Sequence, residues 1–150
     1  MEIRLRQRPR SASTSTKAMN PGSLALDTTA VVLHLRQRSV EVSQKLDAAS
    51  ELYLPVTALG ELWYGVEHSG NPTRSREPLE EFLQETIIIY PDDETAKTYP
   101  RFKEHLGKAG TPIPENDLWI AATAHTHQLK LYHNDAHFMC LDELLEHEHA

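Results

Sequence analysis

The chain has 150 residues, of which 39% are hydrophobic and 25% are charged, and it contains a single cysteine. This length and composition are typical of one globular domain. A disulfide-stabilised scaffold is excluded because one cysteine has no partner within the chain, and we expect a reducing compartment, the cytoplasm. No apolar run approaches the roughly 20 residues of a transmembrane helix, so we expect no insertion into a membrane.

The net charge of −7 is unevenly distributed along the chain. Residues 1–22 contain five basic residues and one acidic residue, so they carry +4 and the rest of the chain carries −11. A negatively charged domain repels the phosphate backbone of a nucleic acid and binds it poorly without help. If the protein acts on nucleic acid, we expect its carboxylates to act through bound cations.

Residues 1–22 have little apolar surface to bury, and we expect them to form a disordered N-terminal extension. Three interpretations of this segment remain open. It can be an extension upstream of a true start at Met19, an organelle transit peptide rich in arginine and serine, or a basic arm that touches RNA. None of the three affects the fold prediction.

From residue 23 onward, predicted strands and helices alternate. The predicted strands are short and apolar or β-branched, and they are 23–27, 52–56, 86–90 and 129–133, with a short fifth at 138–141. The predicted helices have apolar residues at three- and four-residue spacing, and they are 28–36, 41–49, 57–68, 78–84, 92–107 and 117–127. Pro100 is expected to kink or split the fifth of these helices.

Repeated strand–helix alternation predicts an α/β fold with right-handed crossovers. We expect a three-layer α/β/α domain with a central parallel sheet of four to five strands. The domain is predicted to span residues 23–142. The acidic, histidine-bearing residues 143–150 are expected to form a tail that frays.

Four acidic residues are predicted to lie near the carboxyl edge of this sheet, where open parallel sheets bind ligands. Asp27 ends the first strand, and Asp135 lies two residues beyond the fourth. Asp117 begins the helix that leads into the fourth strand. Glu61 lies one turn into the helix that follows the second strand.

Each of these acids also has an ordinary structural explanation. Asp27 and Asp117 can stabilise the starts of helices. Glu61 can be a solvated helix residue and Asp135 a turn residue. Together, however, three or four carboxylates at one edge repel one another unless a cation neutralises them. Oxygen ligation suits Mg²⁺ or Mn²⁺, and two such ions can promote the hydrolysis of a phosphodiester.

Several stretches of the sequence resemble the PIN-domain family, particularly the VapC-type toxins of bacterial toxin–antitoxin pairs. The matching stretches are Leu26-Asp27-Thr28, Pro55-Val56-Thr57 with Glu61-Leu62 and Gly65, residues 112–122, and Asn134-Asp135 with His137-Phe138. The similarity covers residues 24–141. Its most specific part is Asn-Asp-Leu-Trp-Ile-Ala-Ala at 116–122.

The resemblance implies an endoribonuclease that uses Mg²⁺ or Mn²⁺, has RNA as its substrate, usually forms a homodimer and is inhibited by a cognate antitoxin protein. By the same resemblance, Asp27, Glu61, Asp117 and Asp135 would be the catalytic metal ligands. The residues that would support them by hydrogen bonding are Thr28, Thr57 and Asn116.

Three residues depart from the family pattern. Thr29 stands where many members have asparagine, which changes one supporting hydrogen bond. His133 stands where threonine or serine is common, just before the last acid. Pro100 interrupts a helix that usually continues. None of these departures removes a carboxylate.

Three other functions are compatible with parts of the sequence. Nine histidines suggest a zinc site, but residues 133–137 are predicted as a strand end and turn, so we expect ordinary surface histidines. A PIN-like fold kept as a protein-binding module, with weak or no catalysis, is the main alternative, although the four intact acids argue against it. A DNA nuclease would need to grip a duplex, which the acidic body disfavours.

Overall fold

The computed structural model describes residues 21–150. The expectation of disorder for residues 1–22 therefore lies almost entirely outside the described residues. Within the described part of the chain, no helix combines the length and the apolar character that crossing a bilayer would require.

Five strands form one parallel sheet, as the sequence predicted. They are β1 (Leu24–Leu26), β2 (Leu52–Pro55), β3 (Thr86–Ile89), β4 (Lys130–His133) and β5 (His147–His149). Their order across the sheet is β3-β2-β1-β4-β5. The central strand, β1, pairs with β4 in a register that places Leu26 opposite Tyr132.

Six α-helices connect these strands in the described part of the chain. They are α1 (Thr28–Leu35), α2 (Val40–Ala48), α3 (Val56–Glu67), α4 (Pro72–Leu83), α5 (Asp93–Ala109) and α6 (Glu115–Thr126). Successive crossovers run in one direction as far as β3 and then reverse to reach β4. Right-handed connections therefore place α1–α4 on one face and α5–α6 on the other, which gives the predicted three layers.

The reversal of strand order places a crevice between β1 and β4 at the carboxyl edge of the sheet. The side chains beneath it are fully buried, among them Leu26, Leu131 and Phe138. Residues that follow β1 and β4 therefore stand on a rigid, closely packed base. This is the edge at which the acidic residues were expected to meet.

Two helices are longer or more continuous than the sequence predicted. Helix α4 begins at Pro72, six residues before the predicted start, because the Asn71 side chain caps it by accepting from the Arg74 N–H at 3.1 Å. Of the two effects predicted for Pro100, a kink or a split, the split does not occur, because α5 continues through Pro100 as one element. Its start is fixed by a reciprocal cap between Asp92 and Thr95, and its buried face packs on α6.

The fifth strand was predicted in the wrong place. Residues Ala136–Leu141 form a 3₁₀ helix, because Phe138 and Leu141, three residues apart, both turn into the core. The fifth strand is instead His147–His149, within the segment that was expected to fray. It pairs with β4 through the registers of His147 with Leu131 and of His149 with His133.

Candidate active site

Asp27 lies immediately after β1 and is only 2% exposed. Its carboxylate caps α1 by accepting from the Ala30 N–H at 3.0 Å, and the Thr29 hydroxyl lies 2.7 Å from both carboxylate oxygens. Burial raises the pKa of Asp27 to about 6, although these donors act in the opposite direction. The nearby charge of Asp135 adds to the rise.

Glu61 projects from α3 towards the same edge and is half-buried. The Thr28 hydroxyl donates to its Oε1 at 3.2 Å, so the first residue of α1 orients this carboxylate. Burial raises the pKa of Glu61, and the negative charges of Asp117 and Asp135 raise it further.

Asp117, Asp135 and His137 form the most compact part of the site. His137 Nδ1 lies 2.9 Å from Asp117 Oδ2 and 3.2 Å from Asp135 Oδ1. The backbone N–H of His137 donates to the same Asp135 oxygen at 2.9 Å. Burial raises the pKa of Asp117; the hydrogen bond from His137 opposes this rise, and the charge of Asp135 adds to it.

The four predicted acids form one electrostatic cluster. The charge of Asp135 raises the pKa of each of the other three, Asp27, Glu61 and Asp117. Within residues 21–150, no lysine or arginine lies within 4.0 Å of any of the four carboxylates. An uncompensated cluster of this kind attracts a cation.

The donor chemistry fits a divalent metal ion. One ligand atom from each of Asp117, Asp135 and His137 lies within 4.8 Å of the others, so a single ion can contact all three. Carboxylate oxygens suit Mg²⁺ and Mn²⁺, and a neutral imidazole nitrogen suits the transition metals better. Asp27 and Glu61 lie close enough to add negative charge to this site.

Thr29 makes a contact that the sequence did not reveal. Its hydroxyl both bonds to the Asp27 carboxylate and accepts from the Asn134 N–H at 2.9 Å. The hydroxyl therefore ties the end of β1 to the residue that follows β4. The departure from asparagine at this position replaces one polar side chain with another that supports the same carboxylate.

Two of the predicted supporting residues make no such contact in the described part of the chain. Thr57 is half-buried, one turn before Glu61, and its hydroxyl has no hydrogen-bond partner among residues 21–150. Asn116 is exposed and its side chain bonds to none of the acids there. Only Thr28, of the three residues predicted to support the acids, bonds directly to one of them.

Two histidines have surroundings that the sequence did not predict, although His137 is exposed at the surface, as expected. His137 lies between Asp117 and Asp135. Its position two residues after Asp135 could have indicated this, but a prediction based on strands and helices takes no account of that spacing. His133 is fully buried, packed on Phe138 with ring centroids 4.9 Å apart. Burial, with His147 and His149 nearby, lowers the pKa of His133 to about 4.

A groove opens beside the acids, between α1, α3 and α4. Its volume is about 330 Å³, and Thr28 and Glu61 lie at its end. Most of its lining is apolar, with Val32, Leu62 and Leu79 among the side chains. The basic residues that line it are Arg36 and Arg74.

The PIN domain matches residues 24–144. Ribonuclease VapC2 of Haemophilus influenzae is 32% identical over 73% of this chain and 84% of its own length. Ribonuclease VapC5 of Mycobacterium tuberculosis is 28% identical over 81% of this chain and 90% of its own length.

Among solved structures, the fold is similar to VapBC2 from Rickettsia felis bound to a DNA fragment from its promoter. The TM-score is 0.78 at 24% identity, and the match covers 85% of this chain and 98% of the other. The likeness extends over nearly the whole of that chain, so the three-layer arrangement is shared and not confined to one motif.

Proposed function

The chain belongs to the PIN-domain family, and from this premise we propose that it is a metal-dependent endoribonuclease that hydrolyses RNA phosphodiester bonds. We further propose that it is the toxin of a toxin–antitoxin pair. Its similarity to two ribonucleases supports the activity, and its fold is that of a protein solved in a VapBC complex.

One observation carries the proposal more than any other. Asp27, Glu61, Asp117 and Asp135 share one edge of the sheet, and no lysine or arginine of the described residues neutralises them. Burial raises the pKa of three of these acids, which costs folding free energy as long as no cation is bound. A protein with only a scaffolding role gains nothing from such a cluster.

We propose Mg²⁺ or Mn²⁺ as the cofactor, with Asp27, Glu61, Asp117 and Asp135 as its ligands and His137 placed to join Asp117 and Asp135. A divalent ion in such a site supplies an activated water and stabilises charge on a phosphodiester. Asp27 and Glu61 belong to the same cluster of negative charge, because Asp135 raises the pKa of both. Their hydroxyl donors fix both carboxylates before substrate arrives, so little reorganisation is needed.

The metal also accounts for how an acidic chain handles a polyanion. The carboxylates would repel an RNA phosphate, and a bound divalent ion would offset part of their charge and offer a positive centre that a phosphate oxygen can contact. Arg36 and Arg74, beside the groove, lie on the same side as Glu61 and can contact phosphates that flank the cut site.

We propose that the inhibitory partner is a cognate antitoxin that occupies the groove beside Glu61. The groove offers a mainly apolar wall with two arginines, a combination that suits an amphipathic segment carrying acidic residues. We also propose that the chain acts in the cytoplasm as a homodimer. Light scattering of the purified full chain would test the dimer, and a monomeric mass would overturn that part.

The experiment that tests the enzyme is cleavage of a mixed RNA pool by the full chain with Mn²⁺, with Mg²⁺ and with EDTA. We expect cleavage with the metals and none with EDTA. Asp117→Asn, purified in the same way, controls for contaminating nuclease and should be inactive. Metal-independent cleavage, or equal cleavage by the variant, would overturn the proposal.

Expression in a bacterial host tests the toxin proposal separately. We expect growth arrest from the native chain and normal growth from Asp27→Asn or Asp117→Asn at equal expression. A native chain that leaves growth unaffected, binds no divalent ion and still captures a partner protein would point to a binding module with a retained fold.

A further inference from the structure

A line of hydrogen bonds leads away from Asp135 into a part of the chain that lies beyond the family match. The backbone N–H of Asp135 donates to His133 Nδ1 at 3.2 Å. His133 Nε2 lies 2.8 Å from His147 Nδ1, and His147 Nε2 lies 2.5 Å from Asp142 Oδ1. The PIN-domain match ends at residue 144, before His147.

The direction of the first bond fixes the direction of the others. A backbone N–H can only donate, so His133 Nδ1 must accept and carries no proton. The proton of the neutral His133 ring is then on Nε2 and is donated to His147 Nδ1. His147 in turn carries its proton on Nε2 and donates to the Asp142 carboxylate. Every donor in the line has one acceptor.

We propose that His133 is a positioning residue for Asp135, held by His147 and Asp142 in the tautomer that leaves Nδ1 free to accept the Asp135 backbone N–H. His133 does not touch the reacting atoms. It acts by fixing the backbone from which the Asp135 carboxylate projects, and this role rests on the proposed function of Asp135 as a metal ligand.

The surroundings of the line support this role. His133 is fully buried and the His147 side chain is 7% exposed, so neither ring turns freely. The Ala150 N–H donates to the His133 carbonyl at 2.7 Å, which ties the end of the chain to the same residue. The Asp135 carboxylate is fixed separately by the His137 N–H, so the residue is held on two sides.

The proposal gives a function to β5. The three residues of this strand bring His147 against His133, and His149 packs on the same ring with centroids 5.3 Å apart without bonding to it. His147 and His149 thus form a natural matched pair on one strand. The first is in the hydrogen-bonded line, and the second contacts the ring only by packing.

The test compares variants that separate hydrogen bonding from packing, in the full chain. His133→Asn keeps an acceptor near Nδ1, whereas His133→Phe keeps a planar ring without one. His147→Phe interrupts the line, and His149→Phe is its control. Each variant is titrated with Mn²⁺ by calorimetry, and Asp135 amide exchange is measured by NMR in the metal-free protein.

We expect His133→Phe and His147→Phe to weaken Mn²⁺ binding by about 10-fold, as outer-shell substitutions do. His133→Asn and His149→Phe should bind like the native chain. The native protein should show the Nε2–H tautomer of His133 in nitrogen-15 spectra and a slowly exchanging Asp135 amide. If His133→Phe does not fold, the His147→Phe and His149→Phe pair decides the question.

Three results would overturn the proposal. One is equal loss of Mn²⁺ affinity in His133→Asn and His133→Phe, which would show that His133 acts only by packing and not by accepting a hydrogen bond. Another is native-like affinity in both His133→Phe and His147→Phe. The last is rapid Asp135 amide exchange in the native chain. This result would count against the proposal whether or not the protein binds metal. Failure of the proposed function looks different, because the native chain would then bind Mn²⁺ no better than Asp117→Asn.

Discussion

Glu115 and Asp117 lie two residues apart in the first turn of α6, yet their carboxylates occupy opposite environments. Glu115 is exposed and accepts from Lys103 Nζ at 2.8 Å and from the Tyr99 hydroxyl. The side chain of Asp117 is 13% exposed, and among residues 21–150 it is hydrogen-bonded only to His137. The Lys103 and Tyr99 hydrogen bonds lower the pKa of Glu115, whereas burial raises that of Asp117.

The rest of the described chain shows the same contrast between exposed acids paired with lysine and buried acids grouped with other acids. The ion pairs Lys97–Glu94, Lys103–Glu115 and Lys108–Glu104 are all solvent-exposed pairs of opposite charge. The acids at the carboxyl edge are more buried and lie among like charges instead. Paired surface acids contribute to solubility and little to stability. Clustered acids without cations weaken the metal-free fold, so they point to a ligand.

The largest expected effect is on catalysis by Asp27→Asn. Asparagine keeps the helix cap but removes the charge, so RNA cleavage should fall by more than the roughly 10–100-fold that outer-shell changes cost. Asp92→Asn is the matched control, because Asp92 caps α5 in the same way and its hydrogen bonds to Thr95 lower its pKa. Native-like cleavage by Asp27→Asn would remove Asp27 from the site.

The same variant should be more stable than the native chain when metal is absent. The pKa of Asp27 in the folded state is about 6, above its ordinary value of 3.8, so the folded protein favours the protonated form. Its contribution to stability is present below pH 3.8 and is lost as the pH rises through 6. Asp27→Asn should therefore gain about 2–3 kcal/mol over the native chain by pH 7.

The measurement is the difference in unfolding free energy between the two proteins from pH 4 to pH 7, in EDTA. A difference is needed because His133 acts in the opposite direction. Its pKa is lowered to about 4, so its contribution is lost as the pH falls from 6.5 towards 4. A difference that stays constant with pH, or that favours the native chain at pH 7, would contradict the environment described for Asp27.

A smaller effect is expected from Thr29→Val, which replaces the hydroxyl by a methyl group. The buried Asp27 carboxylate loses a donor at 2.7 Å, and the Asn134 N–H loses its acceptor. Metal-free stability should fall by about 1–3 kcal/mol and Mn²⁺ affinity should decrease. Thr28→Val, whose partner Glu61 is only half-buried, should cost less. The reverse order in chemical denaturation would be evidence against this ranking.

Glu115→Gln should have the smallest effect. The carboxylate is exposed and its pairing with Lys103 lies on the surface of α5 and α6. We expect unchanged RNA cleavage and at most a slight change in the midpoint of thermal unfolding. A large loss of activity would show that Glu115 and Asp117 act together, and would contradict the distinction between a surface acid and a site acid.

Much of the fold and of the acidic cluster could be predicted from the sequence. Strand–helix alternation implied a parallel sheet, and parallel strands bring their carboxyl ends to one edge. Asp27 and Asp135 follow strands β1 and β4, so their meeting required only that these strands be neighbours. Asp117 and Glu61 joined them because both lie on helices next to that edge.

What could not be predicted depends on contacts between distant residues. The strand His147–His149 lacks the apolar or β-branched pattern of a strand, and its pairing with β4 comes from tertiary structure. The burial of His133 follows from that pairing. The hydrogen bond between Thr29 and Asn134 joins residues 105 positions apart, so no local sequence pattern predicts it.

The measurement that tests the central claim most directly is calorimetric titration of the full chain with Mn²⁺, beside Asp117→Asn and Glu115→Gln. The two substitutions each remove one negative charge, two residues apart on one helix. We predict saturable binding by the native chain and by Glu115→Gln, and loss of binding by Asp117→Asn. Equal binding by all three proteins, or no binding by the native chain, would contradict the assignment of the acidic cluster as a metal site.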